Sequence, residues 1–173
     1  LEFLFFWALK YIQKKEGSSI YFRLSTKKLI QPERKLSQKN KQNIIKGCYW
    51  LYKPKTSQPI ILICTGVMIG EVEKLKEEIT KEEIDIGVLI VTSPDTLYSD
   101  WINSIDNNIS SHIEKTLNIY EKNTALITII DGHSSSLAWI GSVLGHKVYP
   151  MGLNKFGQSG ELDEIYRYTN IDF

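Results

Sequence analysis

From residue 59 to residue 151 the chain alternates short, wholly apolar runs with longer segments whose apolar positions recur every three or four residues. Ile60-Ile61-Leu62-Ile63-Cys64, Gly87-Val88-Leu89-Ile90-Val91-Thr92 and Ala125-Leu126-Ile127-Thr128-Ile129-Ile130 have no polar alternation, as expected of strands covered on both faces. His146-Lys147-Val148-Tyr149-Pro150-Met151 reads as a further strand. Between them, Ile69, Val72, Leu75 and Ile79 form a helical stripe, and Ser93-Pro94-Asp95 offers an N-cap with proline at the first helical position. Ser111-His112-Ile113-Glu114 has capping-box spacing ahead of Ile113, Leu117 and Tyr120. A helix over residues 137–144 stops at Gly145, and a last helix runs from the Gly157-Gln158-Ser159-Gly160 cap through Tyr168. Cys48-Tyr49-Trp50-Leu51-Tyr52, closed by Pro54, fits an edge strand, because proline cannot donate to a ladder. The expected class is α/β: a mainly parallel five-stranded sheet, helices on both faces, and one antiparallel edge strand.

The opening run has a different pattern. Residues 2–15 predict a helix on which Leu4, Trp7, Ala8 and Tyr11 keep one face, while Phe3, Phe5, Phe6 and Leu9 make it apolar nearly all round. One small domain can hardly cover such a helix, so we expect either a larger parent chain, of which this is the C-terminal piece, or a second chain over it. The run is too short to cross a bilayer, and it lacks the basic segment and small-residue cleavage site of a signal peptide. Gly17-Ser18-Ser19 stops the helix, Ile20-Tyr21-Phe22-Arg23-Leu24 predicts a strand, and the Lys- and Gln-rich stretch 27–46 with Pro32 has linker composition.

Charge separates the two parts. The 173 residues carry a net charge of +1, yet residues 1–47 hold 11 Lys/Arg against 3 Asp/Glu and the remainder 10 against 17. The basic residues interleave with strand residues and follow an apolar helix, which suits a solvated linker better than a nucleic-acid arm. Cys48 and Cys64 are isolated, and His112, His133 and His146 lie 13 to 21 residues apart, so no zinc spacing exists. Buried, reduced thiols follow, and with them an expectation of a cytoplasmic setting. In that setting the Asn108-Ile109-Ser110 sequon carries no sugar.

The candidate chemistry is thin. Asp131-Gly132-His133-Ser134-Ser135-Ser136 sits at a strand-to-helix turn, where a nucleophile elbow would place its serine, but Ser136 stands where the G-x-S-x-G pattern needs its second glycine. The expectation is a helix cap from Ser134 or Ser135 with local hydrogen bonds from Asp131 and His133. Gly66-Val67-Met68-Ile69-Gly70-Glu71 has Glu71 where a P-loop needs Lys. Glu77, Glu78, Glu82, Glu83 and Asp85 read as a solvated face and turn. No catalytic residue and no metal site is assigned on these grounds.

Three stretches taken in order carry a resemblance: Val91-Thr92-Ser93-Pro94-Asp95, then Ile130-Asp131-Gly132-His133 through Leu137-Ala138-Trp139-Ile140-Gly141, then Phe156-Gly157-Gln158-Ser159-Gly160 ahead of Tyr166-Arg167. They resemble the C-terminal domain of transketolase-like enzymes, and most closely the homodimeric, thiamine-diphosphate-dependent first component of pyruvate dehydrogenase. Tyr21-Phe22-Arg23-Leu24-Ser25-Thr26 is similar to the last strand of that family's pyrimidine-binding domain. The resemblance implies three regions: the end of a pyrimidine-binding domain over 1–31, a linker over 32–46, and a transketolase C-terminal-like domain over 47–173. It implies thiamine diphosphate and magnesium in a full-length oxidoreductase of pyruvate metabolism, and neither in this chain alone, because the family's Gly-Asp-Gly motif and activating glutamate lie in earlier domains. It implies homodimer formation, upstream domains or a companion subunit as partners, and an acyltransferase component as acceptor of the product. Ser25, Thr26 and Lys27 become the substrate-proximal candidates, with Thr26 standing where sugar-phosphate-using relatives carry Arg. Asp131, His133, Phe156, Gly157, Ser159 and Gly160 become structural loop residues, Gly157 and Gly160 at a turn that needs positive φ or close backbone approach.

Overall fold

The computed structural model describes residues 1–25, 29 and 36–169. Five strands, β1 (Cys48–Tyr52), β2 (Ile60–Cys64), β3 (Ile86–Val91), β4 (Ala125–Ile129) and β5 (Val148–Met151), form one sheet in the order β1-β3-β2-β4-β5. β1 pairs antiparallel with β3, and the β3-β2, β2-β4 and β4-β5 pairs are parallel. This is the expected sheet, including its antiparallel edge. The central apolar runs are covered on both faces: all six residues of β3 are buried, as are Ile61, Leu62, Ile63 and Cys64 of β2.

Helices divide between the two faces according to which apolar stripe each presents. On one face, Val72, Leu75 and Ile79 of α3 (Ile69–Thr80) pack with Leu62, Cys64, Val88 and Ile90, joined by Ile44 of α2 (Gln38–Ile45) and by Phe3 and Leu4 of α1 (Glu2–Ile12). On the other, Leu97 of α4 (Pro94–Asp106), Ile113 and Leu117 of α5 (His112–Leu117), Leu137 of α6 (Ser135–Ala138), and Ile140 and Val143 of α7 (Ile140–Leu144) pack on Ile61, Ile63, Leu89 and Val91. The last helix, α8 (Leu162–Thr169), follows an irregular stretch after β5. After β2 the chain crosses to β3 on one side, and after β4 it crosses to β5 on the other. The sheet is therefore doubly wound, with its switch point between the carboxyl ends of β2 and β4.

Local signals account for most element ends. Ser111 Oγ accepts from the Glu114 N–H while the Glu114 carboxylate accepts from the Ser111 N–H at 2.6 Å, the expected capping box. Gly145, at φ 76°, closes α7 by donating to Gly141 O. Ser93 departs from expectation: its hydroxyl donates to Asp95 Oδ1 at 2.6 Å instead of capping a backbone N–H, and this bond holds the Asp95 carboxyl below its usual pKa.

The N-terminal part differs more. The helix expected over 2–15 ends at Ile12, and residues 20–24 join no sheet. A strand needs a partner ladder, which alternation of side chains along one segment does not supply. The stretch read as linker contains α2, whose N-cap Ser37 Oγ accepts from Asn40 N at 3.1 Å. The helix expected over 137–144 is two short ones meeting at Trp139, whose ring stacks on Trp101 with centroids 5.3 Å apart.

Candidate functional site

Polar side chains converge at the carboxyl ends of β2, β4 and β5. Asp131 lies two residues beyond β4 and Gly66 two beyond β2, and a Cβ on Gly66 would stand 4.0 Å from Asp131 Oδ1, so the two loops abut at the switch point. Into this place comes Arg23, from a segment 108 residues earlier. Its Nη1 donates to Asp131 Oδ1 at 3.2 Å, and its Nη2 donates to Asp131 O at 3.2 Å and to Oδ2 at 3.3 Å. The expectation of a locally bonded Asp131 is thereby corrected. A carboxylate accepts a planar fork better than it accepts neighbouring amides, and the segment carrying Arg23 runs past it.

His133 does bond locally, as expected. Its Nδ1 lies 2.7 Å from Ser135 Oγ and 3.3 Å from Ser135 N, an arrangement in which Nδ1 accepts from both and the proton sits on Nε2. Ser134 Oγ donates to Asn154 Oδ1 at 2.6 Å, and neither Ser134 nor Ser135 caps a backbone N–H of α6. Ser135 with His133 is a hydroxyl–imidazole pair, but Asp131, the third group a triad would use, is committed to Arg23. The loop's chemistry is positional: Ser134 tethers the turn before α6 to the loop after β5, and Arg23 tethers the N-terminal segment to the sheet.

The other loop candidates stand apart. Phe156 is 97% exposed, and Gly157, Ser159 and Gly160 are exposed with it. Gly157 has open space where a Cβ would be, Gly160 has only ordinary contacts, and neither has positive φ, so the expectation of a glycine-requiring turn there is wrong. The glycine that the site does need is Gly152. A Cβ there would meet Gly132 O at 2.6 Å and Ser134 N and Cα at 2.9 Å. The motif drew attention to the wrong loop because a glycine pair in sequence says nothing of the backbone that approaches it. Ser25 is exposed at the end of the Arg23 segment, while Thr26 and Lys27 lie outside the described residues.

Both thiols are buried and free, with pKa values pushed up to about 12 by burial, which makes them inert. Of the acidic run, Asp85 is more than a solvated charge, since one carboxylate oxygen accepts from Lys55 N, Thr56 N and Thr56 Oγ1 at 2.7–2.8 Å. Burial pushes its pKa up, but these hydrogen bonds outweigh that and hold it below the usual range.

An open groove of about 700 Å³ runs between α1 and the segment after it, walled by Phe5, Ala8, Leu9, Ile12, Ile20 and Phe22. It offers no charged side chain. Among the described residues no group of three His, Cys, Asp or Glu could hold a metal ion. No helix among them is long and apolar enough to cross a membrane.

Residues 47–172 match the family described as the transketolase-like TK C-terminal domain. The chain belongs to the transketolase-like family. Solved structures agree at the level of fold. Transketolase from Leishmania mexicana superposes with a TM-score of 0.54 at 10% identity, covering 76% of this chain and 17% of that one. Transketolase from Campylobacter jejuni gives 0.50 at 18% identity, covering 72% and 16%. A split-gene transketolase, described as an inactive β4 tetramer, gives 0.50 at 14% identity, covering 70% and 37%. The chain thus spans about a sixth of the first two of these chains. No curated protein matches it in sequence. The matched residues contain the whole sheet and leave out α1, the Arg23 segment and α2.

Proposed function

We propose that this chain is the C-terminal part of a thiamine-diphosphate-dependent 2-oxoacid dehydrogenase component of the pyruvate type, with a structural and dimer-forming role. Residues 1–31 would end a pyrimidine-binding domain, 32–46 would connect, and 47–173 would form the C-terminal domain. The observation that carries the reading is the family match over 47–172. The residues present do not fit thiamine diphosphate and its magnesium: the groove holds no charged side chain, and the described residues assemble no metal-ligand set. Upstream domains of the same polypeptide or a companion subunit would supply those ligands, and an acyltransferase component would take the product.

Preference for a small 2-oxoacid over a sugar phosphate rests on Thr26. A dianionic phosphate calls for a fixed forked donor, and a Thr hydroxyl is not one. The alternatives are a stand-alone interaction or regulatory module of the same fold and part of a transketolase-type enzyme acting on sugar phosphates, the second drawing on the solved transketolases of the same fold.

Titration calorimetry of this chain with thiamine diphosphate and magnesium is expected to show no binding, and micromolar affinity would overturn the reading. For the polypeptide joined to its upstream domains, kcat/KM on pyruvate should exceed that on xylulose 5-phosphate at least tenfold, about 1.4 kcal/mol of transition-state discrimination. The reverse preference would assign it to the transketolases proper.

A further inference from the structure

In doubly wound sheets, ligands enter the crevice outside the carboxyl ends of the strands at the switch point. Here that crevice lies between the loops that follow β2 and β4, and the chain's own Arg23 reaches Asp131 beside Gly66 and Gly132. A Cβ on Gly132 would stand 3.9 Å from Arg23 Nη1, so the guanidinium lies against that turn's backbone. We propose that the pair is a releasable clasp: Arg23 docks the segment after α1 on the sheet's carboxyl edge, and the switch-point crevice serves as the seat of this segment.

Two further contacts join the segment to α1. Phe22 meets Phe5 with ring centroids 4.6 Å apart, and Tyr11 Oη lies 3.5 Å from Ser18 Oγ. Both join the segment to α1, whereas Arg23 joins it to the sheet. The Arg23 side chain is 60% exposed and that of Asp131 29%, so water and salt reach the pair and its strength is that of a surface ion pair, which thermal motion opens often. A clasp of that strength holds Arg23 and Leu24 at the sheet's carboxyl edge when closed, and releases them when a competing charge or a moving domain opens it. As a positioning residue, Arg23 acts through the segment that it holds.

Trypsin cleaves after Arg23 only when its guanidinium is free to enter the protease, so the rate of cutting between Arg23 and Leu24, followed by mass spectrometry, reports the open clasp. Asp131→Asn is nearly isosteric and removes only the charge. It should raise that rate two- to fivefold, equivalent to about 0.4–1 kcal/mol, while the denaturant midpoint and the rate after Arg167 stay put. Raising sodium chloride from 0.05 to 1 M should speed cutting of the Asp131 protein toward the rate of the Asn variant and leave that variant nearly unchanged. Asp131→Glu, which keeps the charge, should remain closer to the parent than Asn does. Equal rates for parent and Asn variant, or equal salt effects on both, would overturn the proposal, and a lower midpoint with faster cutting at both sites would overturn it in favour of general loosening.

Discussion

His112 Nε2 donates to the Cys48 carbonyl across 2.9 Å, tying the first turn of α5 to the edge strand β1. The carbonyl fixes the neutral tautomer, with the proton on Nε2. Burial pulls the His112 pKa below its ordinary value, and the bond to Cys48 only partly opposes that. His146, 6% exposed, is pulled down by burial as well, and hydrogen bonds to the backbone of Lys122 and Glu121 only partly oppose that.

These two histidines set the acid limb of the stability curve. In the unfolded chain both take up a proton near pH 6.5, and in the fold they do so only at lower pH, so the unfolded state binds more protons in between. Stability is then full above about pH 6.5 and falls as the pH drops through that value. Urea midpoints measured from pH 7.5 to 5 should decline, and His112→Gln, whose amide can still donate to Cys48 O, should flatten the decline. A midpoint independent of pH in this range would contradict the burial argument.

Gly152→Ala should destabilise far more than Gly157→Ala. At Gly152 the new methyl meets the backbone of Gly132 and Ser134, which cannot swing away as a side chain can, and overpacking of this kind costs about 1–3 kcal/mol. At Gly157 the methyl enters open space at ordinary φ and trims the freedom of the unfolded chain, an effect of about 0.4–1 kcal/mol in favour of the fold. Denaturant midpoints of the two variants rank them directly.

Asp85→Ala should cost about 1–2 kcal/mol, because three donors at the turn before β2 lose one charged acceptor. The Asp85 carboxyl is held below its unfolded pKa, so its contribution is present above that value and disappears as the pH falls through the folded one. The gap between parent and variant should therefore close below about pH 4, measurable by thermal melts in acid.

Phe6 and Leu9 on α1 are 59% and 54% exposed, beside half-exposed Ile12 and Phe5. Covering what remains exposed of each in a self-contact is worth about 1–2 kcal/mol, so the chain should sediment as a dimer, and Phe6→Ser with Leu9→Ser should make it a monomer. Equal sedimentation of both would remove α1 from the contact.

The sheet could be read from sequence because β2, β3 and β4 are wholly apolar runs, which only burial on both faces explains, and β1 because Pro54 closes it. The capping box at Ser111 was legible because both of its partners lie within one helical turn. The Arg23–Asp131 bond was not, since nothing local marks an arginine that will meet a carboxylate 108 residues on. The alternating run around Phe22 looked like a strand because its periodicity was right, but periodicity describes a face and says nothing about a neighbour. Gly152 was passed over because close approach by another loop leaves no trace in its own surroundings.

β5 ends the sheet opposite β1 and carries Pro150. The carbonyls of Lys147 and Met151 bond β4, so residues 148 and 150 turn their backbone groups outward, and proline removes a donor from the free margin. At the other margin, β1 breaks register between Trp50 and Tyr52 and runs into Pro54. Among the described residues neither border offers a straight row of amides, so both margins of the sheet resist edge-to-edge pairing with a foreign strand.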